Sequence, residues 1–232
     1  IIASKRIPGS KLAYLRLMNL VTRPEIDLVA LEEVINGEVS LCYKLLHYVN
    51  SALFGFWSEI RSIRHALALL GHNEVRKVVT LAAAISIAED KPSELIATAL
   101  LRARCCEQVA LHLNPELSKS LGSLPFIVGM FSVMDAMLGR PMVDILNQVA
   151  LPGEAKEALL GGGNHLRDIC ELVFAYEKGN WGALGWYASK VGLDEMIMPV
   201  LYLDSVEWSK LVFNVTENPP PKPAQSRELR AV

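Results

Sequence analysis

The stretch Leu41–Gly55, LCYKLLHYVNSALFG, decides how the rest of the chain is read. At about 100° per residue, Leu41, Cys42, Leu45, Leu46, Tyr48, Val49 and Ala52 share one face, and Tyr43, Lys44, His47, Asn50 and Ser51 share the other. That pattern is an amphipathic helix. The side chains of Asn50 and Ser51 compete for backbone hydrogen bonds, so the helix is expected to stop there and turn into an aromatic loop. His47 lies on the polar side, and His65 and His72 follow it, which raises the question of a metal-dependent site. Its polar neighbours make it a solvated or rim histidine instead.

The same helical period runs through nearly every segment on either side, and no segment sustains the alternation of a strand. Ser40 is expected to cap the helix from Leu41, and Ser62 the run IRHALALL, which Gly71 closes. Pro92 opens SELIATALLRARCCEQVALHL, and Ser123 with Pro125 opens LPFIVGMFSVMDAML. Pro141, Pro152, Asn164 and Asn180 each restart a further helix. The last helix, over about 194–213, contains Pro199 and is expected to kink or break there. About a dozen helices with short connections predict a compact all-α domain. Residues 1–10 read as a junction from something preceding, 11–214 as the helical domain and 215–232 as a tail. In that tail, NPPPKPAQSRELRAV has prolines throughout and little to bury, so an extended linker is expected.

Bulk properties exclude several functions. A chain of 232 residues can bury one sizeable core. A formal charge of -2 with 21% charged residues supplies no field for collecting nucleic-acid phosphates. Although 51% of the chain is hydrophobic, no run is long and uncharged enough to span a membrane. No signal peptide is visible. Cys42, Cys105, Cys106 and Cys170 show no metal-binding spacing, which fits reduced thiols in a cytoplasmic protein.

Two carboxylates stand out. On the helix from Ser93, the apolar face carries Leu95, Ile96, Ala99, Leu100, Ala103, Cys106, Ala110 and Leu113, and Glu107 projects inside it. A charge there must be paired, because isolated burial costs several kcal/mol. Arg104, one turn away, is the first partner expected and Arg102 the second. Two readings stay open: an ion pair that locks helix packing, or a polar pocket that binds a ligand. The segment Leu124–Leu138 is apolar almost all round, as a central core helix would be. Its one charge, Asp135, lies beside Val128, Ser132 and the small Gly129 and Ala136, and is a second candidate for a buried carboxylate.

The stretch VSLCYKLLHYVNSALFG…IRSIRHALALLGHNEVRKVV resembles the HDOD domain, a helical relative of the HD phosphohydrolases. The Leu-Leu…Asn-Ser-Ala run and the Ser-Ile…Ala-Leu…Leu-Gly run carry the likeness, which extends over about Leu12 to Phe213. Tyr43, His47, Asn50, Ser51, Ser62 and Gly71 are its motif positions here, with structural or interaction roles. The resemblance implies an HD-like helical bundle. The later pieces GMFSVMDAMLGRPMVDILNQVALPGEAKEALL and VFAYEKGNW look like the form that follows an EAL domain in two-part signalling proteins. No acidic cluster of the EAL kind is present, so any cyclic di-GMP chemistry would belong to a part outside this chain.

HD hydrolases hold metal with a histidine and an adjacent His-Asp pair. No histidine here is followed by aspartate: the successors are Tyr48, Ala66, Asn73, Leu113 and Leu166. By resemblance, GMFSVMD takes the place of that pair and offers Ser132 and Val133. Many relatives carry Asp-Pro ahead of the Leu-Ser run, where this chain reads Asn36-Gly37-Glu38-Val39-Ser40. The reading that follows is a non-catalytic regulatory module without metal or cofactor. Its expected partner is a protein or a sibling EAL domain, not nucleic acid or membrane, with self-association as a further option. The alternative is a small-molecule sensor whose pocket is lined by Arg104, Glu107, Ser132 and Asp135, and a residual phosphohydrolase ranks last.

Overall fold

The structure, a computed structural model, describes residues 9–23, 25–51 and 53–217. They form thirteen α-helices and one 3-10 turn, with no strand among them. The first four are α1 (Gly9–Val21), α2 (Leu28–Gly37), α3 (Val39–Val49) and α4 (Ile63–Ile87). A central group follows: α5 (Ser93–Leu111), α6 (Pro115–Leu121), α7 (Leu124–Phe131), α8 (Met134–Leu138) and α9 (Met142–Leu146). Last come α10 (Gly153–Leu159), α11 (His165–Glu177), α12 (Trp181–Val191), the 3-10 turn Glu195–Ile197 and α13 (Met198–Glu217).

Helix α4 holds the first group together. It packs against α1, α2 and α3, and from Val78 to Ala88 every residue is buried. Helix α5 does the same for the second group, touching α4, α6, α7, α11 and α13. Leu100, Ala103 and Cys106 of α5 are fully buried, as the apolar face predicted, and so is Val109 outside that face. Cys106 Sγ lies 3.9 Å from Cys170 Sγ of α11 inside this core, and all four cysteines are free thiols.

Helices α5 and α7 approach each other closely at Gly129. A Cβ on Gly129 would stand 2.5 Å from the Arg102 carbonyl oxygen and 2.7 Å from Ala103 Cα. Only glycine lets the two backbones come that near. The second special glycine is Gly71, at φ 71°, ψ 164°. It closes the first part of α4 as expected, but the chain turns straight into another helical segment with no loop between. Such a φ strains any residue with a Cβ.

Caps at Ser62, Asn164 and Asn180 form as predicted, accepting from the backbone N–H of His65, Arg167 and Ala183. Two expectations fail for local reasons. Ser40 does not cap α3, because the helix begins one residue before it with Glu38 in the cap position. The run Leu124–Leu138 is two helices. Ser132 Oγ donates to its own Gly129 carbonyl at 2.7 Å, which draws that acceptor off the helical ladder, and the chain restarts at Met134. The kink or break expected at Pro199 is a break: the 3-10 turn Glu195–Ile197 ends just ahead of it, and Pro199 falls in the first turn of α13, where no donor is needed. Helices also reach slightly past both expected edges, from Gly9 to Glu217. Ala52 and the sequence from Asn218 onward lie outside the described residues, so the expectation of an extended tail does too.

Candidate functional site

The end of α3 builds one wall of the site. Asn50 Nδ2 donates to the carbonyls of Leu46 (2.9 Å) and Ile60 (2.8 Å), while its Oδ1 accepts from Ile60 N at 2.7 Å. One amide thus ends the helix and staples the far side of the aromatic loop to it. Ser51 Oγ donates to the Tyr48 carbonyl at 2.6 Å. The stapled loop sets Phe54 edge-on to Tyr48, with ring centroids 5.2 Å apart. His47 is half-buried and stacks on Tyr43, its centroid 6.0 Å away. The loop is therefore a structural clamp with an aromatic inner surface.

Behind Tyr48 and Phe54 lies a cavity of about 340 Å³, closed by Glu74 and Lys77 of α4, Arg104 and Glu107 of α5, Phe126 of α7 and Trp208 of α13. Glu107 is its centre. The carboxylate accepts from Arg104 Nη1 at 2.5 Å and from Lys77 Nζ at 2.7 Å, and its side chain is only 12% exposed. Lys77 also pairs with Glu74, and the Arg104 guanidinium lies 5.7 Å from the Trp208 ring centroid. Two carboxylates meet two cations, so the cluster is formally neutral. Burial would lower the Lys77 pKa, but Glu107 and Glu74 outweigh it and hold the ammonium above its ordinary value. Burial, with Glu74 next, pushes the Tyr48 phenol up.

Arg104 was the expected partner of Glu107, and it is one of two. Lys77 comes from a helix 30 positions earlier, and no spacing within α5 could reveal it. Arg102 is not a partner. It sits five residues from Glu107, about 140° round the helix, and faces α11 instead. There Arg102 Nε and Nη2 grip both oxygens of Glu177 at 2.7–3.0 Å, with the guanidinium 4.4 Å from the Phe174 ring centroid. Arg102 Nη1 also reaches Ser132 Oγ at 3.4 Å. This second ion pair is largely buried as well, at 19% and 14% exposure.

The four proposed pocket residues are therefore split. Arg104 and Glu107 share the cavity. Ser132 belongs to the Arg102–Glu177 pair and to a separate recess of about 50 Å³ against Phe174 and Cys170. Asp135 is not a buried carboxylate: it is exposed at the start of α8, accepting from Ala136 N at 2.8 Å. The break at Ser132 resets the helical register, which invalidates the face computed for an unbroken helix. Among the described residues, no three His, Cys, Asp or Glu side chains are grouped as metal ligands. No described helix is long and apolar enough to cross a membrane. The tripeptide Glu157-Ala158-Leu159 on α10 has local duties: Ala158 is buried and Glu157 accepts from Asn164 Nδ2.

Comparison with known proteins agrees with this architecture. The chain is 30% identical over 210 residues to cyclic di-GMP phosphodiesterase CdgJ of Vibrio cholerae, covering 90% of this chain and 48% of CdgJ. It spans about half the length of the curated relatives it matches. In three dimensions it resembles an HDOD domain protein of unknown function from Geobacter sulfurreducens, with a TM-score of 0.54 at 16% identity over 92% of this chain and 93% of that one. A candidate signal transduction protein from Marinobacter aquaeolei superposes with a TM-score of 0.58 at 15% identity, over 90% of this chain and 59% of the other. The HDOD family model matches residues 7–139, more than half the sequence. With the all-α bundle and the Asn50 clamp in place, the chain belongs to the HDOD domain family.

Proposed function

We propose that this HDOD domain is a non-catalytic regulatory module that acts through protein contact, first with a companion EAL-type domain of the same polypeptide. The observation that carries the reading is the state of Ser132 and Val133, which by resemblance stand where HD hydrolases keep their His-Asp pair. Ser132 is engaged by the Gly129 carbonyl and by Arg102, and Val133 is buried in the core. Both side chains serve packing, and neither offers a ligand for metal. Support for the companion comes from CdgJ, named a cyclic di-GMP phosphodiesterase, of which this chain covers 48%. Exposed apolar side chains on consecutive elements, Trp186, Met196, Val200 and Leu203, support the reading.

The test has two arms. Purified alone with added manganese, the chain should hydrolyse neither cyclic di-GMP nor a phosphomonoester. In the full polypeptide, Trp186→Asp combined with Met196→Asp should change the companion's cyclic di-GMP turnover. A chelator-sensitive turnover by this chain alone would overturn the reading. A second reading, a small-molecule sensor, is favoured by the aromatic-walled cavity around Glu107. There Glu107→Gln would abolish ligand-induced thermal stabilisation while the fold stays intact.

A further inference from the structure

Cys106 of α5 and Cys170 of α11 are 64 residues apart in sequence, yet their sulfurs lie 3.9 Å from each other. That is contact distance, with no room for an atom between them. Cys105, the next residue along, is turned about 100° round α5 and faces Ser205 of α13 instead. Cys42 sits half-buried on α3. Of the four free thiols, Cys106 and Cys170 are the two placed to react with each other. An S–S bond is about 2.05 Å long, so the two sulfurs must close from contact to bonding distance.

The two thiols differ in access, which is a separate observation. Cys106 keeps no exposed surface, whereas Cys170 keeps 3%. Cys170 also lines the recess of about 50 Å³, together with Ser132, Met142, Leu159, Arg167 and Phe174. Those five neighbours are all half-buried, so the recess reaches the surface. A water molecule needs about 10–15 Å³ of such space, and hydrogen peroxide is little larger. Ser132 and Arg167 give the lining the polar groups that a small polar solute requires. Glutathione disulfide is many times too large to enter.

We propose that Cys170 is a peroxide-modified thiol and Cys106 its resolving partner, so that oxidation staples α5 to α11. The Cys170 sulfur attacks one peroxide oxygen and the O–O bond breaks. This leaves a sulfenic acid on Cys170, and the departing hydroxide takes the thiol's proton to become water. The Cys106 sulfur then attacks the sulfenic sulfur; the S–S bond forms, the S–O bond breaks, and the hydroxyl leaves with the Cys106 proton as a second water. Two thiols thus give two electrons to one hydroperoxide, and a dithiol reductant reverses the link. The Arg102–Glu177 pair already joins the same two helices, so the staple would fix an interface next to Ser132.

The experiment uses the whole chain with Cys42→Ser, which removes the most accessible of the four thiols. Millimolar hydrogen peroxide should lower the free-thiol count from three to one, with a mass loss of two hydrogens. Peptide mapping should find Cys106 joined to Cys170, and a dithiol reductant should restore all three thiols. Glutathione disulfide over the same time should leave the three thiols free. With Cys106→Ala added, dimedone should label Cys170 as a sulfenic acid; with Cys170→Ala instead, Cys106 should stay unlabelled. The proposal is overturned if peroxide leaves all three thiols free or oxidises them without linking them. It is equally overturned if the link involves Cys105, if glutathione disulfide forms it as fast as peroxide, or if Cys106 is labelled as readily as Cys170.

Discussion

Glu107 is legible in the sequence because its environment is set by its own helix. Leu100, Ala103 and Ala110 fix the apolar sector, and an ionised carboxylate in that sector requires a cation. What one helix cannot disclose is a partner on another, and that is why Lys77 and Glu74 went unread. The structure makes the energetic expectation specific. Glu107→Ala removes the acceptor of two cations and leaves a void, so it should destabilise by about 3–5 kcal/mol. Glu107→Gln keeps the shape and one acceptor oxygen and should lose distinctly less. Lys77→Met alone should be milder than Glu107→Ala, because Arg104 still pairs the carboxylate at 2.5 Å. Denaturant unfolding of the two single variants and the double variant measures the coupling. Additive losses for Lys77 and Glu107 would mean that their 2.7 Å contact carries no energy.

At the scale of elements, periodicity and caps placed most helices, since apolar stripes and residues such as Ser62, Asn164 and Asn180 act locally. The errors came where one residue changes the register. Ser132 splits a continuous apolar run, and Asp135 then turns outward. At Pro199 the chain does break, between the 3-10 turn and α13, as a proline inside a helical pattern predicts. Gly129 carries the close contact between α5 and α7, and small residues at 129 and 136 on an otherwise bulky apolar run are the signal that another helix comes near there. Gly129→Ala should force α5 and α7 apart, since the new methyl meets backbone at 2.5 Å and cannot be accommodated by a rotamer change. The expected cost is about 1–3 kcal/mol or more, as for other overpacked cores. It should come with loosening of the Arg102–Ser132 contact across the same interface. A variant as stable as the parent would show that the two helices slide apart freely.

At the scale of the whole molecule, four largely buried side chains shift in the same direction. Burial pushes the Cys105 thiol up to about 12. The hydrogen bond to Cys170, then burial, raises Cys106. Burial raises Tyr48, and for Lys77 the carboxylates outweigh burial and raise it too. Each of these groups holds its proton more tightly folded than unfolded. Their contribution is therefore complete below the unfolded pKa values, 9.0 for the thiols, 10.0 for tyrosine and 10.5 for lysine, and is lost as pH climbs toward the folded values. These groups should leave stability level from pH 7 to just below 9, then make it fall, each shifted group adding a slope of about 1.4 kcal/mol per pH unit. The order of loss is also fixed: thiols first, then Tyr48 and Lys77. Guanidinium unfolding midpoints at pH 7, 9, 10 and 11 measure the fall. Replacing Cys105 and Cys106 together by alanine should flatten the curve between pH 9 and 10 and make the loss above 10 shallower, leaving there the part that Tyr48 and Lys77 contribute. If the parent protein held its pH 7 midpoint at pH 11, these side chains would have to be wet in the folded state, and the packing of α5 against α4 and α11 would need to be redrawn.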